Sequence, residues 1–506
     1  METVDNIKDD DIEFPLLKDI SLSYVKGNVF LPLRRQDNEL IGAVAGNRGI
    51  FALRDMARRL NLKPHPVQVE EKIIIEAINR IYSRTSRVSE AMGDIEGEDL
   101  SMVATEFESP TDLLELTEEA PIIRLLNALL MEAVKEKASD IHIEPYEKGI
   151  DVRFRVDGIL SKVLSPPKII HDALISRIKI IAGLDIAEKR LPQDGRIQLL
   201  VGGKDFDIRV SIIPTALGER AVLRLLDRHS GVLSLEMLGL TDSLLLSLKN
   251  ILSRHNGIIL VTGPTGSGKT TTLYASLLRL NTEDRNIITV EDPVEYQLSG
   301  IGQMQVNPRI GLTFAAGLRS ILRQDPDIMM VGEIRDLETA EIAVHASLTG
   351  HLVLSTLHTN DAAGATARLI DMGIEPFLVA SSLVCVLAQR LVRVICPHCK
   401  EAYTPSKREL DYIGMDNTPP TVLYHGKGCD KCMGKGYLGR MGIYELLEIT
   451  PRIRTMIAEK KDAQAIKTAA LNAGFQPLHK NAIDRIIKGI TTVEEVLRVT
   501  LRDVEG

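Results

Sequence analysis

Two hydrophobic periods divide this chain. Strict alternation marks Asp140-Ile-His-Ile-Glu144 and Asp151-Val-Arg-Phe-Arg-Val-Asp157. It predicts half-buried strands with Ile141, Ile143, Val152, Phe154 and Val156 facing inward. Residues 205–211 and 220–226 repeat the pattern and extend the same sheet. Continuous apolar runs instead occupy residues 257–262, 286–290, 327–331 and 351–356, with helical stretches between them. Fully buried strands alternating with helices predict a parallel sheet. Upstream, residues 28–33 and 39–44 read as strands. Residues 69–82 read as a helix with Ile73, Ile74, Ala77, Ile78 and Ile81 on one face. Pro121 suits the first turn of a further helix whose apolar face is Ile122, Leu125, Leu126, Leu129 and Leu130. From Tyr444 onward helical periodicity dominates, which predicts a packing subdomain without a site.

One loop between a buried strand and a helix carries recognisable chemistry. Gly263-Pro-Thr-Gly-Ser-Gly-Lys-Thr270 fits G-x-x-x-x-G-K-[ST], the P-loop, and it follows an apolar strand and opens a helix as that motif requires. Gly263, Gly266 and Gly268, with Pro264, Thr265 and Ser267 between them, let successive backbone N–H groups turn toward a phosphate without Cβ clashes. The helix N-terminus, which includes Thr271, adds partial positive charge. Lys269 is expected on the β- and γ-phosphates of ATP and the Thr270 hydroxyl on Mg²⁺.

In a parallel sheet ligands lie beyond the carboxyl ends of the strands. Three strands end there in ionisable groups: Glu291 after 286–290, Glu333 after 327–331, and His358 after 351–356. An Mg²⁺–ATP site needs an acid near the metal, directly or through water, and a group that orients the attacking water. Glu291 and Glu333 can share those tasks, and the sequence does not decide which is the base. His358 reads equally as a site residue or as a cap or core hydrogen bond.

Cys396-Pro-His-Cys399 and Cys429-Asp-Lys-Cys432 form two C-x-x-C knuckles. Four thiolates at this spacing suit a closed, structural Zn²⁺ site, with His398 a spectator. Cys385, in an apolar stretch read as helix, is expected in the core. The alternating strands place Arg153, Arg155, Arg209, Arg220 and Arg224 on their polar face. Five arginines there predict something anionic opposite. Arg209 lies between inward Ile208 and Val210, and Arg224 between inward Leu223 and Leu225. A connecting loop with Pro214 and Gly218 suits a hairpin that puts both on one face.

Composition narrows the class. A chain of 506 residues exceeds a single core. Net charge is -8, aromatic content 4% and Trp absent, which disfavours a nucleic-acid translocase with a basic stripe and stacking aromatics. No apolar run reaches spanning length, and the opening Met-Glu-Thr-Val-Asp lacks a basic n-region, so a cytoplasmic protein is expected. Residues 94–119 hold ten acids and no base, the signature of a solvated linker.

At this point the chain resembles a known family, the secretion ATPases of type II secretion and type IV pilus systems. The P-loop matches their Walker A motif. Ile288-Thr-Val-Glu-Asp-Pro-Val-Glu295 is similar to their Asp box, residues 322–336 to their Walker B, residues 349–360 to their His box, and Ser139-Asp-Ile-His-Ile-Glu-Pro145 to a further signature. The tetracysteine insertion is similar to that of assembly-type members. The resemblance covers residue 110 to the end. It implies an α/β fold with a RecA-like P-loop ATPase domain (235–395), preceded by a small mixed N-terminal adaptor domain (1–92), the acidic linker (93–119) and an α+β middle domain (120–234). A zinc-binding insertion (396–440) and a helical subdomain (441–506) would follow. It further implies a homo-hexamer in which the middle domain closes over ATP and its arginines reach the phosphates. Inner-membrane platform proteins would be contacted through the N-terminal domain, so association with the membrane is indirect and peripheral. The expected activity is ATP hydrolysis that drives pseudopilus assembly in type II secretion. Type IV pilus extension is the alternative within the family.

Overall fold

The computed structural model describes most of residues 12–78, Thr111–Asp112, and residues 121–500 apart from 202–203, 228–232 and 416–421. The chain divides into two compact units, residues 1–230 and 231–506.

The first unit contains two sheets. Strands β1 (Phe30–Gln36), β2 (Glu39–Val44) and β3 (Lys63–Gln68) form the smaller, with the helix Gly46–Arg59 burying Ala52, Leu53, Met56 and Ala57. Asn28, expected in the first strand, instead ends a short helix, Leu22–Asn28. Of the helix expected over 69–82, residues 71–75 and 77–78 are helical; the part beyond Ile78 lies outside the described residues, as does nearly all of 93–119. The exception in that acidic segment is β4 (Thr111–Asp112), which pairs in parallel with Leu199–Leu200. A piece of the expected linker is therefore a sheet edge.

The larger sheet adds β5 (Asp140–Pro145), β6 (Ile150–Val156), β7 (Ile159–Leu164), β8 (Gln193–Val201), β9 (Lys204–Thr215) and β10 (Gly218–Asp227) in the order β4-β8-β9-β10-β5-β6-β7. Alternation holds on the core side, where Ile141, Ile143, Val152, Phe154, Ile208, Val210 and Leu223 are buried. Strand β5 departs from the expectation of a half-buried strand, because Asp140, His142 and Glu144 are buried as well. The cause is a roof of arginines over that face, described below.

The second unit is built on β11 (Gly257–Thr262), β12 (Ile287–Glu291), β13 (Gly302–Gln305), β14 (Ile328–Val331), β15 (Leu352–Leu357) and β16 (Leu383–Ile395), with β19 (Tyr437–Glu448) at one edge, in the order β13-β12-β14-β15-β11-β16-β19. All neighbours are parallel except β16 and β19. β17 (Lys400–Tyr403) and β18 (Leu423–Gly426) form a two-stranded insert. Two readings change here. Cys385 lies in β16 and not in a helix, although it is fully buried as expected. Residues 444–448, expected to be helical, end β19; helices follow only from Pro451. In both places the strand is buried on both faces, so its apolar run has no period of two to distinguish it from a helix.

Candidate functional site

The P-loop is held open by its glycines. Gly266 and Gly268 take φ of 78° and 86°, the left-handed region in which a side chain is strained. At Gly263 a Cβ would meet the Gln389 carbonyl at 2.5 Å and Ser267 Oγ at 2.7 Å. Gly268 precedes the helix Lys269–Leu280, so the loop ends on the helix N-terminus. Lys269 Nζ donates to the carbonyls of Gly263 at 2.8 Å and Pro264 at 3.1 Å. Burial lowers its pKa to about 8, with Arg390 adding to the fall and Glu333 opposing it. Ser267 Oγ is buried without a hydrogen-bond partner, an orphan that a phosphate would satisfy. Thr270 is exposed at the first turn. An anion fits this cradle: donors converge, an ammonium is stored on weak carbonyl partners, and a buried hydroxyl waits.

Glu333 and His358 follow adjacent strands, β14 and β15, and come together. Glu333 is 3.5 Å from His358 Nε2 and also pairs with Arg335. Burial and then the nearby Lys269 charge lower the His358 pKa and so favour the neutral imidazole, against the pull of Glu333. Glu291 occupies a different environment. It is buried, and its carboxylate accepts from the Tyr274 hydroxyl, from Thr289 Oγ1 at 2.5 Å and from Gln303 Nε2 at 3.1 Å. Three donors fix it in place.

In the first unit Arg209 and Arg224 are register partners in the β9–β10 hairpin and share a face. The anionic groups expected opposite the arginines include two carboxylates of the sheet itself. Asp140 meets Arg224 at 3.0 Å and Arg155 at 3.5 Å. Glu144 meets Arg153 and Arg220, each at 2.6 Å. Alternation puts Asp140 and Glu144 on the polar face of their strand, but it does not say that arginines of other strands cover them. The sequence reading also missed Arg196, which stands opposite Arg209 and forks onto Asp207; the alternation of Arg196 with Ile197 could have found it.

The four cysteines converge. Their Sγ atoms all lie within 4.8 Å of one another, with pairs at 3.7, 3.8 and 3.9 Å. A tetrahedral ion with Zn–S bonds of about 2.3 Å needs sulfur separations of about 3.8 Å. Backbone N–H groups of Cys429 and Gly436 each point at Cys432 Sγ from 3.2 Å, as a thiolate prefers. The donor set fits a structural zinc ion.

Strand order, loop and strand-end acids define the class: a P-loop ATPase domain on a parallel sheet, with a tetracysteine insert between its last two strands. Residues 115–498 match the family Type II/IV secretion system protein, and residues 4–88 match the MshEN domain. The chain belongs to the Type II/IV secretion system protein family. It is 53% identical to type II secretion system protein E of Pseudomonas aeruginosa, over 89% of both chains. Identity to type II secretion system ATPase E of Vibrio cholerae is also 53%, over 84% of both. Among solved structures it resembles the pilus retraction motor PilT with bound ADP at 27% identity and a TM-score of 0.51, over 73% of this chain and 95% of that one. The Legionella pneumophila ATPase DotB, at 22% identity and a TM-score of 0.56 over 77% and 96%, shares the fold. Among the described residues no helix is long and apolar enough to cross a membrane.

Proposed function

We propose that this protein is the ATP-hydrolysing motor of a type II secretion system, a homo-hexamer that drives pseudopilus assembly against inner-membrane platform proteins. The observation that carries the enzymatic part is the P-loop with Lys269 held in reserve beside Glu333 and His358. The similarity at 53% identity to type II secretion proteins over most of both chains favours secretion over pilus extension. Residues 1–92 are the proposed adaptor to the platform, 120–234 the arginine-bearing domain, 235–395 the motor and 396–440 the zinc insert.

Each step follows from this chain's own groups. The P-loop N–H groups and Lys269 bind the phosphates, and Lys269 leaves its two carbonyls to do so. Bound Mg²⁺ would neutralise charge shared between the β- and γ-phosphates, with Thr270 and Glu333 as its holders, Glu333 directly or through water. Glu333, which pairs with His358 and Arg335, is the proposed proton acceptor for the attacking water in the arrangement where it holds Mg²⁺ through water. Glu291 shapes the pocket wall through its three donors. Arg209 and Arg224 are the proposed partners of charge that develops on the transferred phosphoryl group, a role worth about 10³ to 10⁵ in rate for such arginines.

The test is phosphate release from ATP by the purified full-length protein and by Lys269→Ala. Release by the wild type and its loss in the variant, with an unchanged circular dichroism spectrum, are expected. A wild type that releases no phosphate in the presence of Mg²⁺ and its assembled partners, or a variant of equal rate, would refute the assignment.

A further inference from the structure

The strand beside the P-loop holds a side chain that the nucleotide reading does not use. Thr262, the last residue of β11, is paired with Ala388 of β16. β11 then gives way to the P-loop, while β16 runs on for seven residues to Ile395. Gln389 is the first of these, and it is 1% exposed. Its Nε2 donates to the Ser267 carbonyl at 2.6 Å. Its Oε1 accepts from Thr272 Oγ1 at 2.8 Å. The orientation of the amide is settled by its partners, because a carbonyl can only accept.

We propose that Gln389 is the positioning residue that sets the P-loop for phosphate. In a trans peptide the C=O and the following N–H point in opposite directions. Pinning the Ser267 carbonyl against β16 therefore directs the Gly268 N–H away from β16. Gly268 opens the helix, so this N–H is among the donors that a helix N-terminus offers an anion. The other end of the amide grips Thr272, one turn into that helix. One side chain thus fixes both the last loop peptide and the helix that continues from it. The loop has little else to hold this peptide. Gly266 and Gly268 lack side chains and sit at positive φ, where the backbone is free to reorient. A Cβ at Gly268 would come within 3.2 Å of Gln389 Nε2, so a side chain there would crowd the amide. The neighbouring residue acts on the opposite side of the strand: buried Arg390 donates to the Asn360 carbonyl at 2.8 Å and contributes to the low pKa of Lys269.

This inference rests on the P-loop binding nucleotide, and the experiment separates the two. Binding of a fluorescent ADP derivative with Mg²⁺ is measured on the full-length protein, on Gln389→Met, on Thr272→Val and on the double variant, with a thermal melt of each without nucleotide. Methionine keeps the volume and removes both hydrogen bonds. Gln389→Met should retain a cooperative melt, bind ADP at least about fivefold more weakly and show a raised KM, the scale expected for losing the one bond that holds the Ser267 carbonyl. Thr272→Val, which frees the amide at its other end, should weaken binding in the same direction, and the double variant should be no weaker than Gln389→Met alone. ADP affinity of Gln389→Met within fivefold of wild type overturns the proposal. Should Gln389→Met fail to melt cooperatively, Thr272→Val decides: wild-type affinity overturns the proposal and weakened affinity supports it. A wild type that does not bind the probe at all refutes the nucleotide reading instead.

Discussion

Arg224 Nε donates to Asp140 Oδ1 at 3.0 Å, and the same carboxylate lies 3.5 Å from Arg155. Asp140 is buried, while the Arg224 side chain is 58% exposed. The carboxylate therefore works as an anchor and the guanidinium as its accessible end. Arg209, directly opposite in the hairpin, presents on the same face. From the proposed role, Arg209→Ala and Arg224→Ala should each lower kcat at least about tenfold with a smaller loss of nucleotide affinity. Lysine should not rescue either, because it lacks the planar fork. Steady-state kinetics alongside ADP binding check this, and full activity in both alanine variants would leave the sheet face without a catalytic part.

The two glutamates should separate by stability. Glu333 is held by His358 and Arg335 at the rim of the site, so Glu333→Gln should keep the melting temperature and ATP binding but lose hydrolysis. Glu291 accepts from three donors in a buried place. Glu291→Gln turns an amide N–H either toward Gln303 Nε2, which can only donate, or toward the Tyr274 hydroxyl, which already accepts from the Glu295 N–H, and about 1–3 kcal/mol of stability should be lost. A denaturant melt of both variants reads the difference; equal stability would show that the Tyr274–Thr289–Gln303 cluster does not constrain Glu291.

How much of this was legible in sequence depends on whether a residue's partners are local. The P-loop, its strand and its helix are contiguous, so spacing alone located Lys269 and Thr270. The cysteine knuckles are also local in pairs, and the Sγ convergence follows. The Arg209–Arg224 pairing came from alternation together with a turn signal. What was missed depends on partners distant in sequence. Asp140 meets Arg224 eighty-four residues away, and Gln389 meets Ser267 across 122 residues. No period or motif encodes such a contact. Cys385 and residues 444–448 were given the wrong element because strands buried on both faces carry no alternation.

Zinc removal should act locally first. Around the four sulfurs the buried cluster consists of the cysteines themselves, whereas Leu410, Ile413 and Leu423 of the same insert pack with Val392 and Ile443. Metal analysis should find about one Zn²⁺ per chain. Chelation should raise proteolytic cleavage within 396–440 before the sheet of the second unit unfolds, because metal binding around the sulfurs substitutes for a core. Protein that lacks zinc and titrates as five free thiols, yet resists cleavage in this segment, would contradict the assignment.

Lys269 gives a pH prediction with two opposite signs. Burial lowers its pKa to about 8 from the ordinary value of 10.5, against the pull of Glu333. Between those values the unfolded chain holds a proton that the folded chain has released. Stability from this group therefore rises as pH increases through that window. Nucleotide binding runs the other way. A phosphate beside Nζ favours the ammonium, so binding above pH 8 must take up a proton, and affinity should fall as pH rises further. Calorimetric titration of ADP at about pH 8.5 in two buffers of different ionisation enthalpy should show net proton uptake approaching one per site. The stability difference between wild type and Lys269→Met over the same range should move in the opposite direction. Binding without proton uptake would mean that Lys269 is already charged in the free protein, and that its hydrogen bonds to Gly263 and Pro264 are enough to hold that charge.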